Sequence, residues 1–221
     1  MMHFRLQFSV VYLMKTKAIF VDRREFDGKV QEQIEEVFQF VLRNIHLGAR
    51  FQGIYRQDVY EIPPDAIREL IINAVVHRSY LDHGNIQVAV YDNRLEITSP
   101  GKLPMGQTIE RMIKGYSRIR NEALANAFSY MNLIEHWGSG IPRINQLLRD
   151  AGLRELEFIG GDTDLRINIY RDQNANFLQH SADNTEIADK LPTNEQEKVI
   201  YKYIIENGSI TTAQANTAFG N

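Results

Sequence analysis

Residues 68–80, "RELIINAVVHRSY", constrain this chain more than any other stretch. Drawn as a helix at about 100° per residue, Ile67, Leu70, Ile71, Ile72, Ala74 and Val75 cover most of the circumference. A helix that is apolar nearly all round has to be buried. Glu69, Asn73 and His77 nevertheless recur every four residues and make one narrow polar stripe on it. Stranding a polar group in a core costs about 1–3 kcal/mol, and a charge costs more. Two resolutions are open at this point. Glu69 and Asn73 bond each other and the backbone inside the fold, or the stripe lines a wet pocket that holds a ligand.

The patterns on either side supply the rest of a core. "HFRLQFSV" alternates Phe4, Leu6, Phe8 and Val10 with polar residues, the period of a half-buried strand, and "KAIFVDRREFDG" continues as a second strand and a turn. Val30, Ile34, Val37, Phe38, Val41 and Ile45 fall at helical spacing, with Gly48 as the expected C-terminal cap. Residues 49–62 read as a connector with a short strand near "DVYEI". Pro63 and Pro64 open the striped helix, and Asp65 lies in its first turn. "NIQVAVYD" and "RLEITS" are two strands joined at Asp92-Asn93, a tight-hairpin pair. Two short helices follow, over "TIERMIKG" and "NEALANAFSYMNL", with the stripe Phe128, Met131 and Leu133 expected in the core. "WGSGIPRI" opens a further helix that ends near Gly152. "ELEFI" and "DLRINIY" are the closing strands.

Composition excludes several functions. The chain has no cysteine, so disulfides and thiolate metal sites are ruled out, which suits a cytoplasmic location. The formal net charge of −3 leaves no global basic footprint for nucleic acid. The N-terminal apolar run is too short to span a membrane. His77, Asp82 and His83 cluster in sequence but lack the spacing of a zinc site.

Two glycine loops bear on the open question. Gly138-Ser139-Gly140 precedes a helix, where backbone N–H groups and the helix dipole suit phosphate. Gly101 in "SPGKLP" permits close approach of the backbone to something else. The order of striped helix, hairpin, glycine loop, helices, second glycine loop and strands resembles the GHKL family of ATPases. The segments "REL..NAVVHRSY", "LEITSPGKLP", "RIRNEALANAF" and "EHWGSGIPRI" are most similar to its divergent members in bacterial transcriptional regulators, often labelled RecG-like helicases and often preceded by a Schlafen/AlbA-like domain.

The resemblance implies an α+β fold: a two-layer α/β sandwich with a mixed, mostly antiparallel sheet covered by helices (the Bergerat fold), and a partial C-terminal helix-turn-helix. It implies ATP and Mg2+ as cofactors, with Asn73 on the metal, Glu69 activating water for a weak ATPase, and Gly138, Ser139 and Gly140 around the phosphates. Ser99 stands where the family carries the adenine-binding aspartate, beside Gly101. Arg118 and Arg120 lie within reach of phosphates, whereas Lys114 reads as solvated surface. His77, one turn beyond Asn73, is expected to border the nucleotide and orient the hairpin or a lid. Arg143 and Arg149 read as surface residues.

The implied organisation has N-terminal strands over 1–29, left from a preceding domain, and a GHKL-like ATP-binding domain over 30–171. A polar linker over 172–192 and an incomplete winged helix over 193–221 follow. The expected partners are nucleotide and DNA through the complete winged helix, and the N-terminal strands are expected to pair either with a missing domain or with a second copy in a homodimer. The competing reading of the same residues is a degenerate scaffold for dimerisation or DNA docking that takes no nucleotide.

Overall fold

The structure is a computed structural model that describes residues 6–14, 19–52, 55–134 and 140–171. The expected linker and helix-turn-helix lie outside the described residues, as do Gly138 and Ser139. The chain divides into one unit of Met1–Ala49 with Asp58–Phe177 and a second of Arg50–Gln57 with Leu178–Asn221. Of the second, only strand residues 50–52 and 55–57 are described.

The first unit is built on a six-stranded sheet in the order β2-β1-β5-β6-β8-β7. Its strands are β1 (Phe8–Met14), β2 (Ile19–Phe26), β5 (Ile86–Tyr91), β6 (Arg94–Pro100), β7 (Glu157–Gly160) and β8 (Asp164–Tyr170). Only β1 and β5 run parallel; every other neighbouring pair is antiparallel. The fold is therefore α+β with a mixed, mostly antiparallel sheet. β3 (Leu47–Gln52) and β4 (Tyr55–Tyr60) form a separate two-stranded sheet.

One face of the large sheet carries the core. The register aligns Phe8 with Ile86, Val10 with Val88, Leu95 with Ile169 and Ile97 with Ile167. Because strand side chains alternate between faces, these rows point to the same side, and all of them are buried. Against them pack α1 (Val30–Asn44) through Val37, Phe40 and Val41, and α2 (Pro64–His77) through Ile67, Leu70, Ile71 and Val75. α4 (Glu122–Tyr130) adds Phe128, and α5 (Gly140–Asp150) adds Ile144 and Leu148. α3 (Ile109–Ile113) has no buried residue; Thr108 caps it by accepting the backbone N–H of Arg111.

Four local expectations change. α1 ends at Asn44, and Gly48 lies inside β3 rather than capping the helix. Ile45 is extended and buried, and the backbone N–H of His46 donates to the buried Glu61 carboxylate at 2.7 Å, drawing the chain into the hairpin. The connector over 49–62 is largely that β3–β4 hairpin. Of the Phe128, Met131 and Leu133 stripe, Phe128 is buried, but Met131 lies past the end of α4 and is 37% exposed. The strands over 1–29, expected as what is left of another domain, provide the outer pair of this same sheet.

Phe8 and Val10 are fully buried against β5. Truncating Phe8 to alanine is predicted to destabilise the unit by about 3–5 kcal/mol, read by urea unfolding. A loss below about 1 kcal/mol would place β1 outside the cooperative core.

Candidate functional site

α2 is buried on three sides, and its remaining face borders a cleft of about 320 Å³. The cleft wall follows the helix repeat as pairs: Arg68 and Glu69, Ile72 and Asn73, Val76 and His77. The polar stripe is half of this wall. Glu69, Asn73 and His77 are only half-buried, whereas their apolar neighbours on α2 are closed off. Ile97, Leu165 and Ile167 of the sheet also line the cleft.

The cleft gathers most of the residues singled out in the sequence. Besides the stripe, Ser99, Gly101, Arg118, Arg120 and Gly140 all line it. Ser99 is nearly buried, and its Oγ–H donates to the Ala74 carbonyl of α2 at 2.8 Å. With its proton committed to the helix, the hydroxyl meets the cleft as an acceptor through its lone pairs. Gly140 begins α5 directly beside the stripe. A Cβ there would stand 2.5 Å from Glu69 Oε1 and 3.7 Å from Asn73 Nδ2. A larger residue there would oblige the Glu69 carboxylate to swing aside. Gly138 and Ser139 lie outside the described residues.

Gly101 has φ +112°, a conformation that L side chains rarely adopt. Its N–H donates to Thr163 at 2.7 Å, and Ser79 N–H donates to Pro100 at 2.7 Å. The strand exit from β6 is thereby tied both to the β7–β8 turn and to the end of α2.

The electrostatics of the cleft are one-sided. Arg68, Lys102, Arg118, Arg120 and Arg143 line it, and Glu69 is its sole carboxylate among the described residues. Sequence reasoning did not assign Arg68 or Lys102 to the site and left Arg143 to the surface. Both arginines had a legible signal. Arg68 precedes Glu69 and lies four residues before Ile72, and Arg143 lies one turn after Gly140 on α5. Arg68 is held by a bond to the Leu133 carbonyl at 3.1 Å. Lys114 is exposed and does not line the cleft, as expected of surface.

The His77 imidazole is held below its ordinary proton affinity. Burial lowers its proton affinity first, the nearby Arg120 charge lowers it further, and the Arg118 backbone carbonyl opposes them. Arg78 turns away from the cleft. It is 2% exposed, donates to the carbonyls of Asp82 and Gly84, and places its guanidinium 5.0 Å from the Tyr80 ring centre. Asn121 closes the end of α2, donating to Val76 and Arg78 carbonyls at 2.8 Å each. Asp82 and His83 are exposed, and among the described residues no three His, Asp or Glu side chains are grouped to hold a metal. No helix among the described residues is long and apolar enough to cross a membrane.

Residues 83–169 match the HATPase_c_4 family model, described as "Putative ATP-dependent DNA helicase recG C-terminal". The match supports a divergent HATPase-like domain over this segment. The match takes in the β5–β6 hairpin, both loop regions and α5, and begins just after α2. Among solved structures, the DIP2311 protein from Corynebacterium diphtheriae is similar at a TM-score of 0.67 and 20% identity. The similarity covers 97% of this chain but 44% of that one, so the chain spans less than half of that protein. At this identity the likeness concerns the fold alone. No curated protein matches the sequence.

The His77 environment has a consequence for stability. Its folded proton affinity is below the ordinary value of 6.5, so near and just below that pH the unfolded chain binds the extra proton. The contribution of neutral His77 is complete above pH 6.5 and is lost as pH falls toward the folded value. His77→Asn is predicted to flatten this part of the stability–pH curve, measured by urea unfolding between pH 7.5 and about 5. An unchanged slope would show that His77 is not its source.

Proposed function

We propose that this protein is an ATP-binding regulator, with nucleotide and Mg2+ held in the cleft between α2 and the two glycine loops. What supports the reading most is the charge of the cleft: five cationic side chains around one carboxylate, beside the HATPase-like match. A walled cleft whose lining carries a net positive charge favours a polyanion, and about 300–1,000 Å³ is the usual size of a small-molecule pocket.

The donor set fits these cofactors. Asn73 offers a hard amide oxygen, and Mg2+ is commonly held by one or two protein oxygens together with phosphate oxygens and waters. Bound there, Mg2+ would supply charge neutralisation at the phosphates. Glu69, within the same wall, would orient or deprotonate a water, which would make the protein a slow ATPase. Ser99, an acceptor once its proton is given to Ala74, would take the amino hydrogen of the base in place of a carboxylate. Gly101 and Gly140 keep the backbone close, and Gly138 with Ser139 would complete the phosphate loop. His77 borders the same space. Arg118 and Arg120 would meet the phosphates. In this reading the bound state would be passed to DNA by the winged helix expected over residues 193–221, which lie outside the described residues.

One observation favours the second reading, a scaffold without nucleotide. The Glu69 carboxylate already lies against Gly140 at the start of α5, where an anion of a ligand would otherwise be drawn. Isothermal titration decides between them. Wild type is expected to give heat with ATP and Mg2+, and Asn73→Ala to lose at least about tenfold in affinity, equivalent to about 1.4 kcal/mol. Equal binding by Asn73→Ala, or no heat at all, would favour the scaffold. If the protein also hydrolyses ATP, Glu69→Gln abolishes phosphate release while retaining the binding heat.

A further inference from the structure

Two of the cleft's cations are engaged in an unusual way. Arg118 Nη1 donates to the Met105 carbonyl, and Arg120 Nη2 donates to the Lys102 carbonyl. Each guanidinium lies over a glycine with positive φ. A Cβ on Gly106 would stand 2.6 Å from Arg118 Nη1, and one on Gly101 would collide with Arg120 Nη1. Gly101 and Gly106 thus each stand directly beneath a guanidinium that reaches the backbone. Gln107 Nε2 adds a third bond in the other direction, to the Tyr116 carbonyl at 2.6 Å.

Among the described residues, no backbone–backbone hydrogen bond joins segment 101–107 to segment 116–120. The two are fastened through side chains alone. Neither Arg118 nor Arg120 has a carboxylate partner among the described residues, so each full charge meets only a neutral carbonyl. A guanidinium bonds an anionic oxygen more strongly than a neutral one, and its planar fork matches phosphate in two places at once. Both side chains line the cleft. Arg120 is also close enough to His77 to oppose its protonation, so its charge acts inside the site.

We infer that Arg118 and Arg120 make the cleft selective for a polyanionic ligand, and that they do so by exchange. Their bonds pass from the carbonyls of Lys102 and Met105 to the anionic oxygens of the ligand, and segment 101–107 is released from segment 116–120. The inference rests on the nucleotide reading and adds to it. The phosphates, rather than the base, control the loop, and the loop is fastened until they arrive.

The test follows two backbone amides by NMR hydrogen exchange in the full chain. The Gln107 N–H, bonded to Pro104 at 2.9 Å, reports on the fastened segment, and the Gly101 N–H, bonded to Thr163, reports that the fold is intact. Inorganic pyrophosphate alone is expected to give heat on titration and to speed exchange at Gln107 about tenfold, as for loss of one charge-assisted bond. Adenosine is expected to leave Gln107 unchanged, and Gly101 stays protected throughout. Arg118→Gln is expected to exchange fast at Gln107 without ligand, with no further effect of pyrophosphate. Heat with pyrophosphate or ATP but unchanged exchange at Gln107 overturns the release while leaving the nucleotide reading standing. Wild-type exchange in Arg118→Gln, or an equal effect from adenosine, overturns it as well. Heat from neither pyrophosphate nor ATP overturns both readings together.

Discussion

The structure depends on a single conflict within α2. The helix has to be buried, because its apolar residues cover nearly every direction, yet one of its faces carries groups that cannot be buried without partners. Packing between the sheet and α1 answers the first demand. The second requires that no element close over the wall from Arg68 to His77. α4 and α5 flank that wall, Gly140 lets α5 begin beside it, and the loops from 101 to 120 border what remains. The cleft is thus a region the core leaves uncovered, since covering it would strand Glu69 and Asn73.

Much of this was legible in the sequence because it is local. The stripe at every fourth residue, the Asp92-Asn93 turn, the prolines opening α2 and the glycine starting α5 each depend on neighbours a few residues away. What was hidden depends on distant partners. That Ser99 gives its proton to Ala74 requires β6 to pass under the end of α2. Gly48 looked like a helix cap until Glu61 took the His46 N–H and turned the chain away. Arg68 and Arg143 carry signals of helical spacing, but whether an arginine faces solvent or a cleft is decided by the element opposite.

The tetrapeptide that ends α2 shows how closely support and site are interleaved. In His77-Arg78-Ser79-Tyr80, only His77 and the backbone N–H of Ser79 act toward the cleft region, the latter by holding Pro100. Arg78 carries the following loop by its carbonyls, and the Tyr80 hydroxyl returns to the Val75 carbonyl at 3.1 Å. Burial lifts the Tyr80 phenol to about 12, so it stays a donor to that carbonyl across the physiological range. A substitution at Arg78 would therefore disturb the cleft without touching anything in it.

The place of β1 in the sheet has a practical side. A boundary drawn at residue 30, where the amphipathic helix begins, looks natural from composition. Such a cut would strip β5 of its parallel neighbour and leave the backbone donors and acceptors of Ile86–Tyr91 as an open rim. Ile86, Val88 and Val90 would lose the cover of Phe8 and Val10 beside that rim. An apolar strand with an unpaired edge is a template for self-association. A fragment beginning at α1 would tend to report on its own aggregation before it reported on any ligand.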